Sequence, residues 1–388
     1  MTRHILRLIW NKKRSNALLF LEIFFAFLIL FAVFTIVTRY MRMYQSPLGY
    51  QTENIWIVHM NLDPVTDTVA TQDMKVRLKQ ELKALPEVQS ASYSGFVTPI
   101  SNSSWSTSSD DNGFEISTHM MYGDPDYMET MGINLVQGRW FNESDRDARY
   151  EPLIISKKLF DESFEGRNIT DSIYNINGEK RIIGVIDHFK YKGDFAEEVN
   201  LSFFYGEDKT LDLPNLHLRV APGTPAAFEE EVNNLVADIT KRNDFRIEHL
   251  QTTRESRARQ VWIPIVALLS ICGFLVINVS MGLFGILWYT ISKRRSEIGL
   301  RRTLGASRSE ITLQFVGEIL AVCLSGILLG IVFAVQLPLL NVFPIEALNY
   351  YIAMGLSATL ILILVVACSF YPSQQAARIH PALALHEE

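Results

Sequence analysis

Four apolar runs, Ala17 to Thr38, Val261 to Thr290, Phe315 to Leu339 and Tyr350 to Tyr371, decide most of what this chain can become. Each holds roughly 20 residues or more, and at about 1.5 Å of rise per residue each can cross a hydrocarbon core about 30 Å thick as a helix. Only against these runs is the composition informative. The average, 48% hydrophobic with a formal net charge of -6 over 388 residues, hides a mosaic of greasy helices and one long polar region between the first two. The first run follows Arg3, Arg7, Lys12, Lys13 and Arg14, as a secretory signal would. It is too long for a signal's apolar core, and "VTRYMRMYQSPLGY" after it lacks a small-residue cleavage site, so a retained anchor is expected.

Lysine and arginine in the short loops set the orientation. The amino-terminal arm carries five, and the loop from Ser292 to Glu310 carries six, whereas "QLPLLNVFPIEALN" between the third and fourth runs carries none. Both termini and the basic loop are therefore expected in the cytoplasm, with the region from about 39 to 260 outside. The arm itself places Ile5, Leu8, Ile9 and Trp10 on one helical face with Arg3, Arg7 and Lys13 around the rest, a pattern suited to lying in the inner interface.

The outer region reads as an α+β domain in two parts. "NIWIVHMNL" alternates as a strand, a helical pattern runs from about Thr66 to Leu85 and stops at Pro86, and "VQSASYSG" reads as strand again. The order recurs as "LHLRVA", then "TPAAFEEEVNNLVADI" with Thr224 as the expected cap and Pro225 in the first position, then "FRIEHLQT". These units, about 52–95 and 213–251, are expected to build one α+β lobe, with a β-rich lobe at about 96–212 inserted between them. In the insert, Asn177-Gly178 between "SIYNI" and "RIIGVI" is a hairpin turn signal. Residues 252–290 are expected as one helix that starts outside and continues into the second span as a stalk. The remaining parts are an arm (1–16), the first span (17–38), a basic helix and loop (291–310), two further spans (311–339 and 347–371) and a tail (372–388).

Catalytic signatures are missing. The chain has no GxxxxGK[ST] phosphate loop, HExxH, GxSxG, CxxC pair, or GxGxxG after a strand. Cys272, Cys323 and Cys368 fall one in each of the last three spans and read as small buried hydrophobes. His59 and His217 sit at similar places in two expected strands, where half-buried strand residues are the ordinary reading. Asn278, the one amide well inside a span, is expected to satisfy itself locally, and four spans offer few broken helices for a midplane transport site. Two carboxylates, Glu22 and Glu318, lie within spans near their expected cytoplasmic ends. Pairing with the arginine and lysine clusters is expected for both; the alternative is a part in coupling or ion passage.

The stretch "SKRRSEIGLRRTLGAS" (292–307) joins the second and third runs. Its spacing puts Ile298, Leu304 and Ile291 on an apolar stripe, with Arg294, Arg295, Arg301 and Arg302 around it and Gly305 as the stop. Such a helix can seat its stripe in a groove on a soluble partner while the arginines fix register. Topogenic charge would explain the arginines but not the order "EIGLRRTLGAS".

That order resembles the hallmark of the transmembrane subunits of MacB-like (type VII) ABC transporters, with their FtsX and LolC/LolE relatives. The residues that carry it are Arg294, Glu297, Ile298, Gly299, Leu300, Arg301, Arg302, Leu304, Gly305, Ala306 and Ser307, followed by Gln314, Phe315 and Glu318. Thr303 replaces the family's common alanine. "YMETMGINLVQGRWFNESD", "INGEKRIIGVIDHFKYKGD" and the tail "YPSQQAARIHPALALHEE" resemble other parts of the same family, and the amino terminus resembles Bacteroidetes permeases that occur in pairs.

The resemblance implies a bacterial inner-membrane protein of four transmembrane helices with a large periplasmic domain between the first two, made of a porter-like lobe and the inserted β-rich lobe, and a coupling helix formed by Arg294, Arg295, Glu297, Ile298, Gly299, Leu300, Arg301, Arg302, Leu304, Gly305 and Ala306. It implies a non-catalytic permease subunit that binds no cofactor or metal, driven by a dimer of separate cytoplasmic ABC ATPase subunits holding ATP and Mg. Only about sixteen residues precede the first span, so a fused ATPase is not expected there. A second permease completes the assembly, a paralogue slightly favoured over an identical copy; a periplasmic adaptor and an outer-membrane channel are candidate partners, and nucleic acid is not. The implied work is mechanotransmission for efflux or secretion, with an FtsX-like regulator of a cell-wall hydrolase as the alternative.

Overall fold

The computed structural model describes residues 13–60, 68–111, 114–164, 173–206, 213–294, 298, 300–301 and 303–377. The expected arm helix rests on residues 1–12 and the end of the tail on 378–388, both outside the described residues. The chain divides into two compact units, a domain from Met43 to Val261 and a helical unit made of Met1–Arg42 with Trp262–Glu388.

Helix α1 (Lys13–Gln45) leads into the domain. Its elements are β1 (Ile55–Met60), α2 (Thr68–Lys83), β2 (Val88–Ser94), β3 (Ser106–Asp111), β4 (Phe114–Gly123), α3 (Tyr127–Met131), β5 (Leu135–Gly138), β6 (Glu151–Ser156), α4 (Lys157–Ser163), β7 (Ile173–Asn175), β8 (Glu179–Ile186), β9 (Leu201–Tyr205), β10 (Asn215–Val220), α5 (Phe228–Thr240) and β11 (Phe245–His249). The strands form one sheet in the order β11-β1-β10-β2-β4-β9-β6-β8-β5, with β3 added to β4 and β7 to β8. Strands from 52–95 and 213–251 thus occupy one end, and strands from the intervening chain the other. They meet where β2 pairs β4 at Ser94 and Gly123.

Both faces of this sheet are covered, which explains a strand that is more apolar than its alternation suggests. Trp56, Val58 and Met60 of β1 face a cluster with Leu78 and Leu82 of α2 and Phe228, Val232 and Val236 of α5. Ile55 and Ile57 face the opposite cluster with Tyr127, Met131, Phe189 and Phe203. A strand buried on both sides reads as a near-continuous apolar run. Truncating Leu78, fully buried in the first cluster, to alanine would cost about 2–5 kcal/mol.

The two ends of the sheet are also tied by charge. Lys79 of α2 donates to Asp124 just past β4 at 2.5 Å, and the Tyr93 amide donates to the same carboxylate at 2.9 Å. Burial still lifts the Asp124 carboxyl to about 6, because Lys79 offsets only part of the lost hydration.

The Asn177-Gly178 signal is realised: β7 and β8 pair antiparallel, and both turn residues have positive φ, 54° and 101°. The expected cap of α5 is not. Helix α5 starts at Phe228 with Ala227 in the cap position, and the Thr224 hydroxyl donates to the Ala221 carbonyl instead. Residues 225–227 make tight three-residue bonds before the helix opens, so Pro225 precedes it rather than beginning it.

In the helical unit, α1 continues with α6 (Leu250–Lys293), α7 (Arg308–Leu339) and α8 (Ala347–Ala377). Within these, Ala17–Gln45, Leu250–Lys293, Ser309–Leu339 and Ala347–Phe370 are long and apolar enough to cross a membrane. Helix α6 runs unbroken through Pro264, from the polar stretch into the second span. Small residues set the close approaches. A Cβ on Gly326 of α7 would come within 3.1 Å of the Phe20 carbonyl of α1, and one on Gly330 would enter the Phe27 ring. With the buried Ala334 they form a small-xxx-small stripe, which lets helices in lipid pack backbone to side chain. Asn278 donates to the Phe274 carbonyl one turn back at 2.8 Å, so its amide is satisfied on its own helix.

Candidate functional site

Past the end of α6, the basic segment folds back on α7. Ile298 is 2% exposed and packs with Ile291, Ile311 and Phe315 in a small cluster bordered by Ala306. Arg294 donates to Glu318 at 2.9 Å, lies over the Phe315 ring, and Gln314 donates to the same carboxylate at 3.2 Å. Arg301 donates to the Gln314 side-chain oxygen at 2.6 Å. The pair is mostly shielded, with Arg294 and Glu318 side chains only 10% and 15% exposed. One carboxylate of α7 thus collects Arg294 directly and Arg301 through an amide.

Backbone chemistry finishes the turn. Gly305 has φ of 97°, and the Ala306 amide reaches back to the Arg301 carbonyl at 3.0 Å, the long bond of a glycine-terminated helix end. Ser307 then caps α7: its hydroxyl accepts from the Glu310 amide at 3.2 Å while Glu310 accepts from the Ser307 amide at 2.8 Å. The sequence carried that signal as Ser-x-x-Glu.

The expected docking stripe is corrected by this packing. Ile298 and Ile291 are buried within the segment's own contacts and have no surface to offer. The apolar side chains left outside are Leu300 and Leu304, 53% and 79% exposed and one turn apart. Periodicity found the apolar residues but could not tell which of them α7 would cover. Arg295, Glu297, Gly299 and Arg302 lie outside the described residues.

Of the two carboxylates within spans, Glu318 meets the basic cluster, and the amino-terminal basic side chains expected beside Glu22 lie outside the described ones. Glu22 makes no ion pair among the described residues and lies against Gly282 of α6, where a Cβ would meet its carboxylate. It sits nine residues into α1, about 14 Å along the axis.

A second cluster, in the domain, was not legible in the sequence. The loop after β8 holds Lys190, buried at 3% exposure, whose ammonium donates to the Met43 carbonyl and Ser46 hydroxyl at the end of α1 and to the Asp194 carbonyl. A cation on the last carbonyls of a helix satisfies orphan acceptors and opposes the helix dipole. Burial pulls this ammonium below its usual value, while Asp194 and Glu198 pull it back. Asp194 in turn takes a bidentate pair from Arg254 in the first turns of α6, at 2.8 and 2.9 Å. Beside it, Thr253 donates to Glu248 of β11 at 2.6 Å, and His59 lies 2.7 Å from the same carboxylate. The His59 contact first, then Thr253 and the neighbouring charges, hold Glu248 down to about 2. Loop 190–194 therefore ties the end of one long helix to the root of the next.

Comparison with known proteins places both units. Residues 17–235 match the family of the MacB-like periplasmic core domain, and residues 268–381 match the FtsX-like permease C-terminal family. Macrolide export ATP-binding/permease protein MacB of Bartonella henselae is 29% identical over 277 residues, 68% of this chain and 41% of that protein. An uncharacterized ABC transporter permease, YknZ of Bacillus subtilis, is 27% identical over 213 residues, 53% of each chain. The periplasmic region of MacB from Actinobacillus actinomycetemcomitans superposes with a TM-score of 0.39 at 13% identity, covering 56% of this chain and 98% of that one. The chain spans about two fifths of the length of the Bartonella henselae relative.

Proposed function

This chain belongs to the MacB-like, FtsX-like family of ABC transporter permeases, and from that premise we propose that it transmits ATP-driven motion of a separate cytoplasmic ATPase to its periplasmic domain. One observation carries the reading. Leu300 and Leu304 stand exposed on a segment whose opposite side is fastened to α7 by Ile298, Arg294 and Arg301. A held segment that presents two leucines is suited to seat in a groove on a soluble partner and to pass on the force it receives.

The partner binds ATP and Mg; nothing in this chain's sequence supplies a phosphate loop. Nucleotide acts as a two-state ligand that favours one arrangement by binding it more tightly. Arg294 and Glu318 pass displacement of the seated segment into α6 and α7, and α6 carries it toward Arg254. Efflux or secretion from the periplasm is the work proposed, with a paralogous second permease and with an adaptor and outer-membrane channel as further partners. The loop charges support a cytoplasmic location for both termini and the basic segment.

The test is reconstitution of the full chain with a candidate ATP-binding subunit. ATP should change distances between spin labels on the periplasmic domains, and the isolated chain should hydrolyse no ATP. Hydrolysis by the isolated chain, or labels that do not respond to ATP in an active complex, would overturn the proposal. Recovery of a cell-wall hydrolase in place of an adaptor would replace efflux with regulation.

A further inference from the structure

The periplasmic domain contains a cavity of about 340 Å³ where the loops around Ile100 and Lys192 meet the first turns of α6. That is within the size range of small-ligand sites. Its charge is unbalanced. Arg254 is already matched by Asp194, but Lys192 and Arg257, which also line the cavity, form no ion pair among the described residues. Neutral donors stand beside them, including Asn102 and the Ser101 hydroxyl, which is buried with no hydrogen-bond partner. A buried hydroxyl without a partner calls for a reason, and a ligand acceptor supplies one.

The backbone at this place is strained as well. Ile100 has φ of 63°, a left-handed conformation that a β-branched residue rarely adopts, and its amide is fixed by the Tyr191 carbonyl at 2.5 Å. Such strain persists where the surroundings over-determine it, and ligand clamps are among the places it collects.

The cavity is also graded in polarity along α6. Arg257 precedes Trp262 by five residues, about 7 Å of helix rise, and Val261, the last residue of the domain, lines the cavity between them with Phe195 nearby. Tryptophan at the start of a span marks the headgroup level. Along α6 the cationic residues therefore come first and the apolar ones follow, the order in which a phospholipid presents phosphate and then glycerol and chain.

We infer that this cavity binds a phosphate-class anion through Lys192, Arg257 and the Ser101 hydroxyl, with the headgroup of an anionic outer-leaflet lipid as its source. Guanidinium and ammonium groups at a membrane surface attract phosphate, and a hydroxyl donor fixes its orientation. The inference does not depend on how the chain couples to an ATPase.

The experiment uses the full chain in neutral detergent and measures binding of short-chain phosphatidylglycerol, diacylglycerol and inorganic phosphate by native mass spectrometry and thermal shift. Phosphatidylglycerol should bind saturably, one per chain, and diacylglycerol should not. Lys192→Gln with Arg257→Gln should weaken that binding about 30-fold, with an unchanged melting temperature in lipid-free detergent. Ala258→Leu, which narrows the cavity without altering charge, should weaken it too and serves as the independent arm should the charge variant fold poorly. Inorganic phosphate binding as tightly as the lipid would keep the phosphate site and make the free ion its source. No saturable binding of either phosphate compound, equal binding of diacylglycerol, or binding untouched by both variants would overturn it.

Discussion

Helix α6 is fastened at each end by an arginine and a carboxylate, yet the two ends differ in what they leave undone. At the periplasmic end, Arg254 meets Asp194, Lys190 closes the end of α1 from the same loop, and Thr253 is held by Glu248. At the other end, Arg294 meets Glu318 and Ile298 is buried, but Leu300 and Leu304 remain outside. At the first end the Arg254, Asp194 and Lys190 tie closes within its own domain, as a structural tie does, and what stays open beside it is the charge of Lys192 and Arg257. The second satisfies its charges and leaves its apolar surface open, as a docking element does.

The largest expected effect would break this contrast directly. Leu300→Asp with Leu304→Asp should weaken capture of the ATPase partner on the order of 1000-fold, the loss of two leucines that bury on docking, while the isolated chain melts as before. If the double variant unfolds the chain instead, the leucines are core and the contrast fails.

Next comes the periplasmic tie. Asp194→Ala should destabilise the domain by roughly 3 kcal/mol, because it leaves Arg254 without its carboxylate beside a buried Lys190. Asp194→Leu with Arg254→Met should recover most of that loss. Hydrogen exchange in the first turns of α6 is the readout, and protection equal to wild type in the single variant would make the pair ornamental.

Acid then sharpens the distinction. Glu248 titrates near 2 in the folded domain against an ordinary 4.5, so the stability it contributes is present above about 4.5 and is lost as pH falls from there toward 2. Glu248→Gln should remove up to roughly 3 kcal/mol at neutral pH and flatten this limb of an unfolding profile. A variant that keeps the wild-type acid limb would assign the limb to other carboxylates.

The smallest effect tests the turn into α7. Ser307→Ala removes the hydroxyl half of the capping box and should cost about 1 kcal/mol, seen as fraying of the first turn of α7 by hydrogen exchange. Partner capture should fall far less than in the leucine variant.

Legibility in the sequence follows the range of the interaction. The Asn177-Gly178 hairpin and the unbroken helix through Arg254 into the second span were readable, because each is fixed by neighbours along the chain. The Ser307 capping box was equally local and equally readable. The Thr224 cap was misplaced because a hydroxyl near a helix start has several carbonyls within reach, and Thr224 took Ala221. Glu318 was placed beside the basic cluster correctly, while the approach of Glu22 to Gly282 was not legible, since Gly282 lies on another helix.

The sequence by itself determined four apolar spans, the α+β character of the region between the first two, and a basic segment joining the second and third spans. All three depend on composition and periodicity over contiguous residues. Tertiary structure alone decided that Ile298 turns inward while Leu304 stays out, that Lys190 meets Met43 across 147 residues, and that Asp194 meets Arg254 across 60. Burial and charge pairing are properties of what lies opposite in space, and a helical stripe carries no record of which neighbour will cover it.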